Sequence, residues 1–242
     1  MFRQNRGIEY IIDDINTNAN GANCTIQFGD GSDVLDIGSE RIRFWNYPLT
    51  WGVITLTGKI TSIDSYTITI QTNVSINSTA DIGNTKSGGA TATISNGTYE
   101  ATTGTLTING GTVSGKIYNS AILVINDGSF NVLDNSQYGT LNIKGRTISS
   151  IGTAGSSAIT PLSISAGGTV NISGGTITAV YGSFAIQNSG TLTITNGTVQ
   201  NTGFADPIAV SNLSTDTVTI HAPPAVITGG TQGTIIWVPP KP

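Results

Sequence analysis

From about residue 91 onward, the chain repeats a short phrase of alternating apolar and polar positions. The phrase reads Thr, apolar, Thr or Asn, Ile, a three-residue turn, a small or hydroxyl residue, then an apolar one. Copies begin at Thr91, Thr105, Ile122, Thr140, Thr169, Thr191 and Thr217, with spacings of 14, 17, 18, 29, 22 and 26 residues. A looser relative, TITIQTNVSI, begins at Thr67. Period-two alternation is the mark of a half-buried strand. It puts Leu106 and Ile108 on one face and Thr105 and Thr107 on the other. The turn slots hold Asn-Gly, Gly-Gly, Asp-Gly, Gly-Arg, Gly-Gly and Asn-Gly in the first six copies. Gly, Asn and Asp tolerate positive φ, so the chain can bend there cheaply.

The apolar position after the turn runs Tyr99, Val113, Phe130, Ile148, Ile177, Val199. A third short apolar stretch follows in several copies: Ile117–Asn119, Ala185–Asn188 and Ile208–Val210. Strand, turn, strand, loop, strand, loop is one turn of a parallel β-helix. A single turn of about 20 residues cannot bury its inward side chains, so turns must stack. Stacking predicts one interior column of Ile94, Ile108, Ile125, Ile143, Ile172, Ile194 and Ile220. Unequal spacings argue against a hairpin meander and fit strands in register joined by loops of variable length. The intervals of 14 and 17 are tight for three sides, which suggests abbreviated turns between 91 and 122.

The expected fold is therefore all-β: a parallel β-helix solenoid with a divergent N-terminal cap. Residues 1–50 lack the clear repeat and read as the cap with the first strands, Ile8 to Ile15 forming a capping strand or short helix. Residues 51–242 carry the stacked turns and a C-terminal cap, the whole forming one structural domain. Open ends of such a stack expose strand edges. Trp237 can cover the last turn, and the prolines beyond it remove donors that would pair with another chain.

Composition narrows the function classes. Only 10% of the 242 residues are charged, whereas Thr supplies 37 and Gly 31. A net charge of −4 with ten Lys plus Arg argues against a nucleic-acid partner. No apolar run approaches the roughly 18 residues of a membrane span, so membrane insertion is not expected. No targeting segment is evident, since Glu9, Asp13 and Asp14 interrupt the apolar stretch after residue 6. The single Cys24 excludes a disulfide framework and reads as an inert interior residue.

The phrases GTLTINGGTVS, GGTVNISGGTIT and SGTLTITNGTV, with TIQFGDGSDVLDIG upstream, resemble repeat regions of large bacterial surface and adhesin-like proteins with pectate-lyase-like right-handed parallel β-helices. The resemblance covers about 91–238 and extends weakly to about 24. It implies right-handed winding and an extracellular or cell-surface setting. It carries over no catalytic residue.

Several groups carry candidate chemistry. Within FWNYPLTW, Trp45, Tyr47 and Trp51 join Phe44, four of the chain's 16 aromatic residues. Exposed rings of this kind stack on sugar faces; the plainer reading is an aromatic plug over the first turn. Arg146 stands where five other copies have Gly, and with Asp127, Asp134 and Lys144 it makes the nearest approach to a lyase site. Surface ion pairing is the preferred reading of that group. Asp30, Asp33 and Asp36 sit in a GxGxDxLx stretch that matches most of a Ca²⁺-binding nonapeptide. That chemistry needs consecutive copies and only one is present, so no cofactor is expected. His221, the only histidine, reads as a surface residue near the C-terminal cap. Thr-x-Thr pairs at 55/57, 67/69, 91/93, 105/107, 191/193 and 217/219 form an outward ladder, interrupted at Ile122/Val124, Thr140/Asn142 and Thr169/Asn171.

The expectation is a non-catalytic extracellular segment of a bacterial surface protein, serving adhesion or contact with a polysaccharide or host glycan. Alternatives are a Ca²⁺-dependent polysaccharide lyase, and an ice-binding protein using the Thr-x-Thr face.

Overall fold

The computed structural model describes the strands at 24–28, 35–36, 42–45, 54–61, 66–71, 74–76 and 81–82, the segment 92–97, and the residues from 105 to 239 except 146, 152–159, 181, 204–206, 214 and 216. Side chains are described from 94 onward, apart from those of Ser114 and of 147–151. The described residues form 21 strands and no helix, in one strongly curled sheet whose pairings are all parallel. Parallel neighbours need a crossover between them. Here two further strands of the same rung supply it, where an α/β protein would use a helix.

Strand registers define three sides. On the first side Ile26, Leu56, Ile76, Ile108, Ile125, Ile143, Ile172, Ile194 and Ile220 stand in one column. From Ile108 onward its members are at most 1% exposed. A second column of Leu106, Leu123, Leu141, Val170, Leu192 and Val218 runs beside it, equally buried. The second side aligns Ile60, Ile82, Val113, Phe130, Ile148, Ile177, Val199 and Ile227. The third aligns Ile68, Ile94, Ile117, Leu133, Leu162, Ile186 and Val210. The described side chains of these four columns pack into one shared core. Each fully buried aliphatic side chain in it stabilises the fold by about 1.5–3 kcal/mol relative to exposure.

The registers correct the expected column in one place. Ile94 belongs to the third side, opposite Ile68 and Ile117, and the first-side neighbour preceding Ile108 is Ile76. The phrases starting at Thr67 and Thr91 are therefore third-side strands, not copies of TLTING. The 14-residue interval was a step between sides and never a full turn. The 17-residue interval is a complete three-sided turn, from Leu106 to Leu123. It closes in so few residues because both corners are built into continuous strands, Thr105–Asn119 and Ile122–Asn135. Gly111, Gly128, Gly175 and Gly197, with φ of 84°, 123°, 84° and 101°, make the first corner. Gly97 follows the third-side strand Ala92–Asn96 and leaves that series.

At the N-terminal end, pairing is already in place at Cys24–Phe28, which runs beside Ile54–Gly58. Cys24 holds the same register position as Ile54. The segment 8–15 lies outside the described residues. At the other end, Ile236–Val238 adds a rung on Thr219–His221, with Trp237 opposite Ile220. Trp237 remains 50% exposed, since among the described residues no rung lies beyond it.

Candidate functional site

The corner after the third side is built around asparagine. Asn96, Asn119 and Asn135 end successive third-side strands, and Asn188 and Asn212 end two later ones. All five are at most 5% exposed. Asn96 Nδ2 donates to Asn119 Oδ1 at 2.7 Å, Asn119 Nδ2 to Asn135 Oδ1 at 2.7 Å, and Asn188 Nδ2 to Asn212 Oδ1 at 2.9 Å. Two of these amides also hold a first-side strand one rung further on: Asn96 reaches the Ile122 carbonyl and Asn119 that of Thr140. Ile164 stands at the same register between Asn135 and Asn188 and interrupts the ladder. Asn135 Nδ2 turns instead to the carbonyls of Gly139 and Thr169. At the ladder's first member, Asn96 Oδ1 is buried with no hydrogen-bond partner among the described residues.

The ladder fixes the residue after it. Backbone amides of Ser120, Ser136 and Ser165 donate to the carbonyls of Asn96, Asn119 and Asn135 at 2.8, 2.9 and 2.9 Å. Three serines thus align on the outer side of the corner, and Ser136 Oγ donates to Ser120 Oγ at 3.0 Å. Two tight turns follow: the Gly139 amide donates to the Ser136 carbonyl at 3.0 Å, and the Gly168 amide to the Ser165 carbonyl at 2.9 Å. These turns project Gln137, Tyr138 and Ala166. Together with the serines they line an open groove of about 370 Å³. Tyr138 is 49% exposed at its wall. None of the six lining side chains is charged, so the groove offers hydroxyls, an amide and one aromatic ring.

Two residues before the serines lies a charged cluster. Lys116 Nζ forms an ion pair with Asp134 and sits 4.3 Å from the centre of the Tyr118 ring. Burial pulls the Lys116 ammonium toward a lower pKa, but its hydrogen bonds to Asp134 and Tyr118 and the attraction of both outweigh this, leaving the value above 10.5.

The two carboxylates of the lyase alternative, Asp127 and Asp134, stand on different sides. Asp134 is on the third side with Lys116, whereas Asp127 sits at the first corner, where its Oδ1 accepts the Gly128 amide at 2.8 Å. Lys144 is exposed at that first corner, and Arg146 lies outside the described residues. So do Tyr47, Trp51, Asp30 and Asp33; Trp45 and Asp36 are placed only by register, opposite Gln71 and Thr61. His221 is half-buried opposite Val238 near the C-terminal end.

The Thr-x-Thr ladder divides between sides. Thr67 and Thr93 are paired on the third side, where the next rung places Lys116. On the first side the outward column reads Thr107, Val124, Asn142, Asn171, Thr193, Thr219. Asn171 Nδ2 donates to Asn142 Oδ1 at 3.1 Å within it. Its chemistry is mixed, and it lacks the uniform hydroxyl spacing that an ice lattice would match.

The chain matches no protein-family model, no curated protein and no solved structure. The groove and the ladder were missed in the sequence reading. Their signal was present: Ile117–Ser120, Leu133–Ser136 and Ile186–Ser189 each read apolar, variable, Asn, Ser.

Proposed function

We propose that the chain is a right-handed parallel β-helix serving as a rigid, non-catalytic segment of an extracellular or cell-surface protein, and that it contacts neutral glycans. The observation that carries the glycan reading is the groove beside Tyr138. Its hydroxyl and amide groups can trade hydrogen bonds with sugar hydroxyls, and the half-exposed ring offers a face for a sugar's C–H groups. The serines that line it hang on the buried asparagine ladder, so the groove is held in shape before any ligand arrives, and little ordering cost remains on binding. A low surface charge suits uncharged saccharides better than acidic ones.

The test is a glycan array probed with the wild-type chain and with Tyr138→Ala. Binding to a neutral saccharide that drops about tenfold in the variant, the order of a lost aromatic contact, supports the reading. An array with no binder, or a binder indifferent to the variant, rejects the groove as the site.

A further inference from the structure

We infer that Asn196 is a site of spontaneous covalent modification, the place on the first corner where the side-chain amide is lost by cyclisation onto the backbone. Three Asn-Gly pairs lie among the described residues: Asn96–Gly97, Asn109–Gly110 and Asn196–Gly197. Glycine after asparagine leaves the following backbone nitrogen unhindered, so all three pairs share the intrinsic chemistry. The fold treats them differently.

Asn96 is fully buried, and its Nδ2 is tied to Asn119 Oδ1 and the Ile122 carbonyl. Asn109 is exposed, but its Oδ1 accepts Asn126 Nδ2 from the next rung at 2.8 Å, which ties the amide to a neighbouring side chain. Asn196 is exposed, and its Oδ1 accepts the amide of Gly197 itself at 2.7 Å. The carbon bonded to that oxygen is the electrophile, and the donating nitrogen is the nucleophile. The hydrogen bond keeps that nitrogen beside the amide group it would attack once its proton is lost. Gly197 has φ of 101°, a conformation open to glycine and closed to most other residues.

The step balances with water as the only co-reactant. The deprotonated Gly197 nitrogen bonds to Cγ of Asn196, the Cγ–Nδ2 bond breaks, and ammonia leaves. Water then opens the resulting five-membered imide at either carbonyl, leaving aspartate or isoaspartate at position 196. Nothing is oxidised or reduced. Either product adds a negative charge to an exposed corner of a chain whose net charge is −4. Isoaspartate also lengthens the backbone by one methylene where Gly197 stacks closely on the carbonyls of Gly174 and Gly175.

The test is peptide mass mapping of the intact chain during incubation at mildly alkaline pH, with isoaspartate scored separately. The folded protein should gain one mass unit at Asn196 at least about tenfold faster than at Asn96 or Asn109, the order that positioning confers. In urea the three rates should converge, and Asn196→Gln should remove the fast site while leaving the other two unchanged. Equal rates at the three sites in the folded protein, or a faster rate at Asn109, would overturn the inference.

Discussion

Asn119 donates its side-chain amide to Asn135 Oδ1 at 2.7 Å, and its Oδ1 receives the amide of Asn96 at the same distance, all three being buried. A single residue thus satisfies one acceptor above it and one donor below. Replacing it strands both neighbours in a dry interior, and an unmet buried polar group costs about 1–3 kcal/mol. Asn119→Leu is expected to lose about 2–4 kcal/mol in chemical denaturation, two such groups being orphaned. A loss below about 0.5 kcal/mol, the noise of an ordinary surface change, would mean the ladder is ornamental.

Gly139 precedes the first-side strand Thr140–Ile143 and abuts the ladder from outside. A Cβ there would run into Asn135 Oδ1 and the carbonyl oxygen of Asn119. Gly139→Ala should destabilise the fold by about 1–3 kcal/mol through this overpacking, despite alanine's better strand entropy. Thermal melting of the variant beside Ala166→Ser, an exposed change on the neighbouring turn, separates the two effects. Equal melting temperatures would contradict the close approach.

Ile122 and Ile125 share one strand and differ only in side. Ile122 is 45% exposed and Ile125 is fully buried. Truncation to alanine is expected to cost about 2–5 kcal/mol at Ile125, where a cavity opens in the column. At Ile122 it should cost no more than about 0.5 kcal/mol. Matched denaturant midpoints for the two variants would place the interior on the wrong side.

The Lys116–Asp134 pair predicts a pH dependence on the alkaline side. A lysine whose folded pKa is raised stabilises the fold fully below its unfolded value and stops doing so as pH climbs through the folded one. Lys116→Met should therefore be less stable than wild type at neutral pH by about 0.5 kcal/mol, the scale of a partly exposed ion pair. The gap should persist to the ordinary lysine value of 10.5 and shrink above it. Paired melts across that range check this; a gap that widens with alkali contradicts the sign.

Much of the core was legible because parity is enough to find it. Ile108, Ile125, Ile143, Ile172, Ile194 and Ile220 follow the same short phrase, and each lies in the column that phrase defines. Parity could not say which side a strand occupies. Thr67 and Thr91 open the same alternation of threonine and isoleucine, because threonine suits the outward face of any strand. Nor does the residue that follows separate the sides: third-side Ile94 leads into Ser-Asn-Gly and first-side Ile194 into Thr-Asn-Gly, so only the strand registers tell them apart. The groove stayed hidden for a related reason. Ser120, Ser136 and Ser165 are ordinary residues in a serine-rich chain, and only the registers show them stacked. Asp127 and Asp134 looked like neighbours by number, but seven positions cross a corner and put them on different sides.

The rung from Leu106 to Leu123 uses 17 residues and the one from Leu141 to Val170 uses 29, yet each advances the stack by one strand spacing, about 4.8 Å. Reach is thus counted in whole steps, whatever the loops contain. Adding residues in sequence between Ile151 and Leu162 would leave the span of the stack untouched, whereas excising one entire rung would shorten it by a fixed quantum. In that respect the chain behaves as a ruler with equal graduations and unequal labels.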